Sequence, residues 1–380
     1  MKFLACLLSR AGLASAVLAE PSWHDLAIIA PQFGRYLYRT SSREPFFWKA
    51  DTAWELLHRL NKTIDWYLKT RAEQSYNVVL TVALSVYNGT TRPNWYGHLP
   101  YHNAVTTQQN DAFFGLRDSW VALTEVVAPL VCCGLIEDGL VGPVLRGRAA
   151  WHGTDESVFN ESTAYQWGHY LGERYPGIPK ILGGDTNCFW VRNTTAAMIS
   201  YAASPTVDPA TLLGPVEDTT YLRAREHSDG VRPLDVPKEE DRVSIDAVQS
   251  GHATPVALGG FSPYETWDST KNYELIAAMR DGFTGPVLDV ENHYEGAHDN
   301  LDADQPMIWN ASQVRTGLYS GVYGGTAGYK YGANSVWQMH EPASELYRES
   351  DYISPSSGEN ASSSWREDLF FEAGQQAQYT

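Results

Sequence analysis

Two acidic residues follow apolar, strand-like segments and could act together on one bond. Asp185 closes segment 181–185, and Glu291 closes segment 286–291, the most apolar strand-like run in the chain. Hydrolysis of a glycosidic bond needs one carboxylic acid that protonates the leaving oxygen and a second carboxylate that attacks or stabilises the sugar carbon. Neighbouring carboxylates also raise each other's proton affinity, which helps to keep the acid protonated. We therefore predict Asp185 and Glu291 as a catalytic pair; for each alone, an ion pair or a helix cap is the alternative.

The elements that must position these acids alternate between strand and helix. The predicted strands are 77–84, 141–151, 181–185, 243–249, 286–291 and 328–331. The predicted helices are 63–74, 120–130, 313–323 and 364–378. This alternation predicts an α/β fold with a parallel sheet, and the number of units suits a (β/α)₈ TIM barrel, whose active site lies at the carboxyl ends of the strands. The alternative, a doubly wound sheet, would need a glycine-rich phosphate loop after its first strand, and the sequence has none.

A single catalytic domain is predicted over residues 20–380. It begins with a short β-hairpin, because segment 34–39 alternates, 40–44 has turn residues and 45–50 is mostly apolar. Segment 205–240 carries five prolines and many charges, and it hides the fifth strand. No C-terminal β-sandwich is predicted after the barrel.

Polar and aromatic residues near the predicted strand ends are candidate substrate contacts. Flat indole and phenol rings pack well on the apolar faces of sugars. Core packing is the alternative for each ring, including Trp95 and Trp151; Asp51 could instead cap a helix, and Glu295 could simply order its loop. The predicted substrate contacts are Asp51, Trp54, Gln249, His252, Tyr294, Glu295 and Trp337.

The N-terminus has the pattern of a secretory signal peptide over residues 1–19. Lys2 precedes an apolar region, and residues 17–19 form a small-x-small cleavage site. Six N-x-S/T sequons follow, which together with the signal peptide predict a glycosylated, extracellular protein. The sequons begin at Asn61, Asn88, Asn160, Asn193, Asn310 and Asn360.

The overall charge argues against several classes of partner. With 28 basic and 45 acidic residues the net charge is −17, which repels nucleic acid and anionic membranes. No metal-ligand spacing or phosphate loop stands out, so neither a metal nor a cofactor is predicted. Cys132, Cys133 and Cys188 follow the signal peptide; we expect buried free thiols, with one bridge to Cys188 as the alternative. We expect the protein to act as a monomer on a polysaccharide or oligosaccharide.

Five motifs in the same order resemble those of the apiosidase-like glycoside hydrolases, and the resemblance covers about residues 30–378. They occupy segments 45–54, 182–185, 249–252, 291–295 and 331–337. The resemblance implies a fold similar to that of the retaining (β/α)₈ glycosidases, with Asp185 as general acid/base and Glu291 as nucleophile. The activity that it implies is exo-type release of a sugar from a side chain of the pectin rhamnogalacturonan II.

The chain departs from the family pattern near the predicted pocket. Leu80 stands where a glutamine is usual, and Tyr329 and Ala333 stand where polar ring residues are common. The His-Pro pair often found near the fifth strand is missing from the sequence. These departures leave two alternatives open: an endo-acting glycanase on arabinan, galactan or glucan, and a catalytically silent carbohydrate-binding barrel.

Overall fold

A computed structural model of the chain describes most of the predicted sheet and its C-terminal helices. The described residues are 26–28, 34–39, 44–59, 63–82, 84, 92–104, 108–115, 131–134, 136–137, 163, 166–167, 169–170, 174, 180–183, 212–213, 216–218, 246–252, 254, 269–282, 285–342 and 361–379. The predicted signal peptide and the sequons other than Asn310 lie outside these ranges.

A small antiparallel sheet precedes the main fold. It contains β1 (Leu26–Ile28), β2 (Leu37–Arg39) and β3 (Pro45–Phe46), in that order. Leu37 pairs with Phe46, so β2 and β3 form the hairpin that the sequence predicted, and β1 adds a third strand. Leu37 and Phe46 are both buried in the main hydrophobic core, which ties this sheet to the rest of the fold.

The main sheet has seven parallel strands. Their order across the sheet is β10-β11-β12-β13-β4-β5-β6. Residues in its central strands are almost all buried, as expected when both faces of a parallel sheet are covered. The strands are β4 (Trp48–Thr52), β5 (Val78–Thr81), β6 (Val131–Gly134), β10 (Val216–Asp218), β11 (Asp246–Gln249), β12 (Val287–Glu291) and β13 (Gly328–Tyr331).

Three further strands form a second parallel group. β7 (Ile136–Glu137) pairs with β8 (Lys180–Gly183), which pairs with β9 (Leu212–Leu213). The strand that pairs with β5 is β6 at 131–134, whereas the sequence predicted a strand at 141–151, which lies outside the described residues. β9 and β10 fall inside the segment 205–240 that resisted assignment.

The described helices pack against the main sheet. Their bounds are α1 (Leu56–Arg59), α2 (Ile64–Glu73), α3 (Asn272–Gly282), α4 (Ala311–Gly324), α5 (Asn334–Trp337), α6 (Trp365–Asp368) and α7 (Glu372–Gln376). Helix α4 begins with a capping box: the Asn310 side chain accepts from the Gln313 amide, and the Gln313 side chain accepts from the Asn310 amide. None of the helices in the described ranges is long and apolar enough to cross a membrane.

The C-terminal segment corrects one prediction. The sequence predicted a continuous helix over 364–378, but the structure has two short helices, α6 and α7. The chain is extended at Phe371, with φ −54° and ψ 148°, so the helical hydrogen bonds cannot run through this residue.

Side chains alternate between the two faces of β13, and this alternation positions the site. Tyr329 donates to the carbonyl oxygen of Ala377 at 2.5 Å, on the face covered by the C-terminal segment. Tyr331, two positions on, lies on the same face. Lys330 lies between them and faces the opposite side of the sheet.

Gly328 sets the spacing between β13 and β4. A Cβ added at Gly328 would lie 2.1 Å from the carbonyl oxygen of Trp48, a backbone atom that cannot move aside. We expect Gly328→Ala to lower the free energy of unfolding by about 1–3 kcal/mol, because the added methyl group overpacks the strand pair. Gly115→Ala is the matched control, since a Cβ there meets no atom within 4 Å. Chemical denaturation measures the free energy of unfolding of both variants. A Gly328→Ala protein as stable as the wild type would contradict this account.

Candidate active site

Glu291 lies at the carboxyl end of β12 and contacts two basic side chains. Its Oε1 is 2.9 Å from His252 Nε2, and its Oε2 is 3.4 Å from Lys330 Nζ. The Glu291 side chain is 13% exposed, whereas the Lys330 side chain is 1% exposed. The carboxylate therefore stands at the edge of a buried cluster, with a narrow face toward solvent.

A β-bulge turns Glu291 toward these partners. In the pairing with β11, Val248 is opposite Asp289 and Gln249 is opposite Glu291, so Val290 is an extra residue on β12. Asp289 faces α3 and accepts from Asn272 Nδ2 at 2.9 Å. Regular alternation would place Glu291 on that same face; the extra residue redirects it, as bulges commonly do beside functional sites.

The surroundings of Glu291 keep it ionised. Burial raises its pKa, but the Lys330 charge, together with hydrogen bonding from His252 and Tyr294, lowers the pKa further and brings it to about 2. At neutral pH this group is a carboxylate. It can therefore act as a nucleophile or as an anionic partner for a positive centre, and not as a proton donor.

Three aromatic residues surround the ion pair. Trp54 Nε1 donates to the Tyr294 hydroxyl oxygen at 3.2 Å, and the Trp54 ring lies 4.1 Å from Lys330 Nζ. The Tyr294 ring lies 4.3 Å from the His252 ring and 6.3 Å from the Trp337 ring. Of the predicted site residues, the structure thus brings together Glu291, His252, Tyr294, Trp54 and Trp337.

The loop after β11 is shaped to place His252 on Glu291. Gly251 has φ +80°, which favours glycine, and its amide donates to the carbonyl oxygen of Glu291 at 2.9 Å. Trp309 Nε1 donates to the His252 carbonyl oxygen at 2.9 Å. These two bonds fix the backbone around His252, which places its ring within hydrogen-bond distance of the carboxylate.

Asp51 does not join this cluster. Its Oδ2 accepts from Arg71 Nε and from the Tyr67 hydroxyl, each at 2.6 Å, and its Oδ1 accepts from Arg71 Nη2 at 3.2 Å. All three side chains are fully buried between β4 and α2. Because strand residues alternate, Asp51 points toward the helices, and its carboxylate connects α2 to the sheet.

Glu295 also has partners that belong to the fold. Its Oε2 accepts from the Tyr331 hydroxyl at 2.7 Å and from the Gly374 amide at 3.4 Å, and its Oε1 accepts from the Ala373 amide at 3.3 Å. Burial raises the pKa of Glu295, partly offset by these hydrogen bonds. The carboxylate thus attaches α7 to the loop after β12, in keeping with a loop-ordering role.

The sequence profile of the apiosidase-like catalytic domain matches residues 32–380. The chain belongs to the apiosidase-like family. No curated protein sequence matches it.

Two solved structures share the fold of this apiosidase-like domain. One is described as a glycoside hydrolase; it has a TM-score of 0.72 and 22% identity, over 94% of this chain and 74% of its own. The other is a family 5 glycoside hydrolase from Bacteroides vulgatus, with a TM-score of 0.74 and 21% identity, over 94% of this chain and 71% of its own. At these identities the similarity shows the fold.

The structure does not describe one predicted residue of this apiosidase-like domain and describes only the backbone of another. Asp185 lies outside the described residues, two positions after the end of β8. Gln249 is described through its backbone, which pairs with Glu291 at the end of β11. Trp151 and Cys188 also lie outside the described ranges, and Trp95, which is 41% exposed, is away from the buried cluster.

Lys330 is the residue that the sequence analysis missed. It lies inside the strand-like run Gly-Tyr-Lys-Tyr, where a lysine suggests an exposed strand face. One signal in the sequence could have identified it: a single charged residue in a strand that is predicted to lie inside a buried parallel sheet. A buried charge needs a partner, so such a residue is a candidate for the site.

The buried pair of Asp51 and Arg71 gives a direct test of its structural role. We expect Asp51→Ala to lower the free energy of unfolding by about 3–5 kcal/mol, because it leaves the Arg71 guanidinium buried without its counter-ion. Glu73→Ala is the control on the same helix: its pairing with Lys69 is 67% exposed and contributes at most about 1 kcal/mol. Urea denaturation measures both. A loss below about 1 kcal/mol for Asp51→Ala would show that the pair does not hold α2 in place.

Proposed function

We propose that the protein is a secreted, retaining glycoside hydrolase that acts on side chains of plant cell-wall polysaccharide, of the pectin rhamnogalacturonan II type. Glu291 is the nucleophile and Asp185 the general acid/base. The observation that carries the proposal is an ionised carboxylate, only 13% exposed, at the carboxyl end of a parallel strand, in a chain of the apiosidase-like family. Secretion follows from the signal-like residues 1–19 and the sequons.

The strand pairings support a closed (β/α)₈ barrel as the frame. β6 ends at Gly134 and β7 begins at Ile136; β9 ends at Leu213 and β10 begins at Val216. If each of these close pairs is one interrupted strand, the pairings run in a ring from β4 through β5, β6–β7, β8, β9–β10, β11, β12 and β13 back to β4. The ring has eight strands, the number found in TIM barrels and in family 5 glycoside hydrolases.

In this frame β8, which precedes Asp185 in the sequence, and β12, which ends at Glu291, run toward the same end of the barrel. Parallel strands end together at one rim, and Asp185 follows β8 by two residues, just as Glu291 ends β12. Because the environment of Glu291 holds it ionised, the proton that the leaving group needs must come from another acid. We assign that role to Asp185, which the family resemblance implies as the general acid/base and which follows the end of β8 in the sequence.

The reaction then proceeds in two displacements. In the first, a Glu291 oxygen attacks the anomeric carbon while Asp185 gives its proton to the leaving oxygen, and the glycosidic bond breaks. In the second, Asp185 takes a proton from water, the water oxygen bonds to the anomeric carbon, and the ester to Glu291 breaks. Both carboxyl groups return to their starting states, so no cofactor is consumed.

The burial of the aromatic residues favours exo over endo action. An endo-acting glycanase needs an open groove, which would be lined by exposed rings such as those of Trp54, Trp95 and Trp337. Trp54 is 8% exposed and Trp337 is 3% exposed, so neither presents an open stacking face. Their burial instead suits a site that admits one chain end.

A substrate panel tests the proposal. We expect the protein to release a monosaccharide from pectin-derived oligosaccharides that include rhamnogalacturonan II side chains, and not from internal bonds of arabinan, galactan or glucan. Proton NMR of the first product should show the anomeric configuration of the substrate, as a double displacement requires. An inverted product would exclude the nucleophile role of Glu291, and binding without release would favour a silent barrel.

Isosteric variants test the two carboxylates. We expect Glu291→Gln to abolish turnover, because an amide is a very poor nucleophile, and Asp185→Asn to lower kcat by roughly 10²–10⁴-fold through loss of proton transfer. Glu274→Gln, at an exposed position on α3, is the matched control and should keep full activity. Circular dichroism checks folding in each case. Full activity of either site variant would refute its assigned role.

A further inference from the structure

Lys330 is a buried cation that the proposed reaction does not yet use. It lies in the middle of β13, and its side chain is 1% exposed. Removing an ammonium group from water is unfavourable unless the group is paired, so a lysine at this position needs a compensating role. Its contacts identify that role.

The Lys330 ammonium lies among a carboxylate and two aromatic rings. It is 3.4 Å from Glu291 Oε2, 4.1 Å from the centre of the Trp54 ring and 5.9 Å from the centre of the Tyr294 ring. Cation–π attraction acts at such distances and is strongest with tryptophan. The rings therefore hold the ammonium in one place, and the ammonium in turn holds one oxygen of the carboxylate.

We propose that Lys330 is a positioning residue that holds Glu291 ionised and fixes the orientation of its carboxylate. The catalytic meaning of this assignment rests on the function proposed above. His252 holds Oε1 at 2.9 Å, and Lys330 holds Oε2 at the longer distance of 3.4 Å. With one oxygen held closely and the other more loosely, Oε2 is the oxygen freer to bond with a substrate carbon.

The groups that face Glu291 come from three parts of the described fold. Lys330 comes from β13, His252 from the loop after β11, and Tyr294 from the loop that follows Glu291 itself. Asp289, the nearest other carboxylate along β12, turns toward Asn272 on α3. Among these groups, the Lys330 charge is the largest of the causes that lower the pKa of Glu291, so removing it should have the largest effect on the ionisation of this carboxylate.

Titration of the Glu291 carboxyl tests the assignment without any substrate. Protein labelled with ¹³C at the glutamate carboxyl carbons is titrated by NMR, and Glu291→Gln identifies the signal by its loss. Glutamate ordinarily titrates with a midpoint at about pH 4.3. In the wild-type protein, the Glu291 signal should keep the chemical shift of a carboxylate to a pH far below that midpoint. In Lys330→Met the midpoint should rise by about one to three pH units, the usual effect of an opposite charge at this distance.

Two controls separate charge from structure. Lys330→Arg keeps a cation and should leave the midpoint low. Lys49→Met removes a lysine from β4, whose ammonium donates to the Gln378 carbonyl oxygen at 3.2 Å, and should not move the midpoint. An ordinary midpoint in the wild-type protein overturns the proposal by itself, even if Lys330→Met fails to fold. An unchanged midpoint in folded Lys330→Met overturns it too.

Activity measurements separate this proposal from the proposed function. With any pectin-derived oligosaccharide that the wild-type protein hydrolyses, the acid limb of the kcat/KM profile should move to higher pH in Lys330→Met, in parallel with the NMR midpoint. An unmoved limb would overturn the role of Lys330. If the wild-type protein hydrolyses nothing, the proposed function fails, while the titration still decides whether Lys330 controls the ionisation of Glu291.

Discussion

The pairing of β13 with β4 on one side and β12 on the other is the constraint on which the site depends. Lys330, in the central strand of the three, lies beside Ala50 of β4. Trp54 lies just beyond the end of β4, and Glu291 ends β12. A shift of β13 by one residue would turn Lys330 to the helix-facing side and place a tyrosine against Glu291. The close approach of Gly328 to Trp48 opposes such a shift, because the backbones fit at one register.

Two carboxylates of β12, Asp289 and Glu291, show that the groups around an acid, more than its burial, decide whether it is ionised. Asp289 accepts hydrogen bonds from neutral donors, Ser250 and Asn272, and burial raises its pKa. Glu291 lies two residues away on the same strand, and burial raises its pKa too, but the Lys330 charge and the hydrogen bonds from His252 and Tyr294 bring that pKa to about 2. The bulge at Val290 separates the two environments, since it directs one acid toward a helix and the other toward the cluster.

Much of the cluster could be predicted from the sequence, because it depends on where strands end. Glu291 follows an apolar run, and His252 and Trp54 follow other strand-like segments, so a parallel sheet brings them to one rim. The face on which a residue lies was harder to predict. Asp51 also ends a strand-like run, but the period of two along β4 turns it toward Arg71. A bulge leaves no clear trace in the sequence. The role of Lys330 could not be predicted either, because its partners are distant from it along the chain. The break at Phe371 was missed because the helical spacing of apolar residues continues across it.

The pairing of β4 with β13 cannot form until most of the chain has been synthesised. Thr52 donates to the carbonyl oxygen of Tyr331 at 2.8 Å, although the two residues are 279 positions apart. At about 5–20 residues per second, a ribosome would take roughly 15–60 s to deliver the second partner after the first. During that interval one edge of β4 has no strand to cover it, and such edges attract other chains. Yield in a foreign host should therefore depend on how well nascent chains are kept apart, whatever the stability of the finished fold.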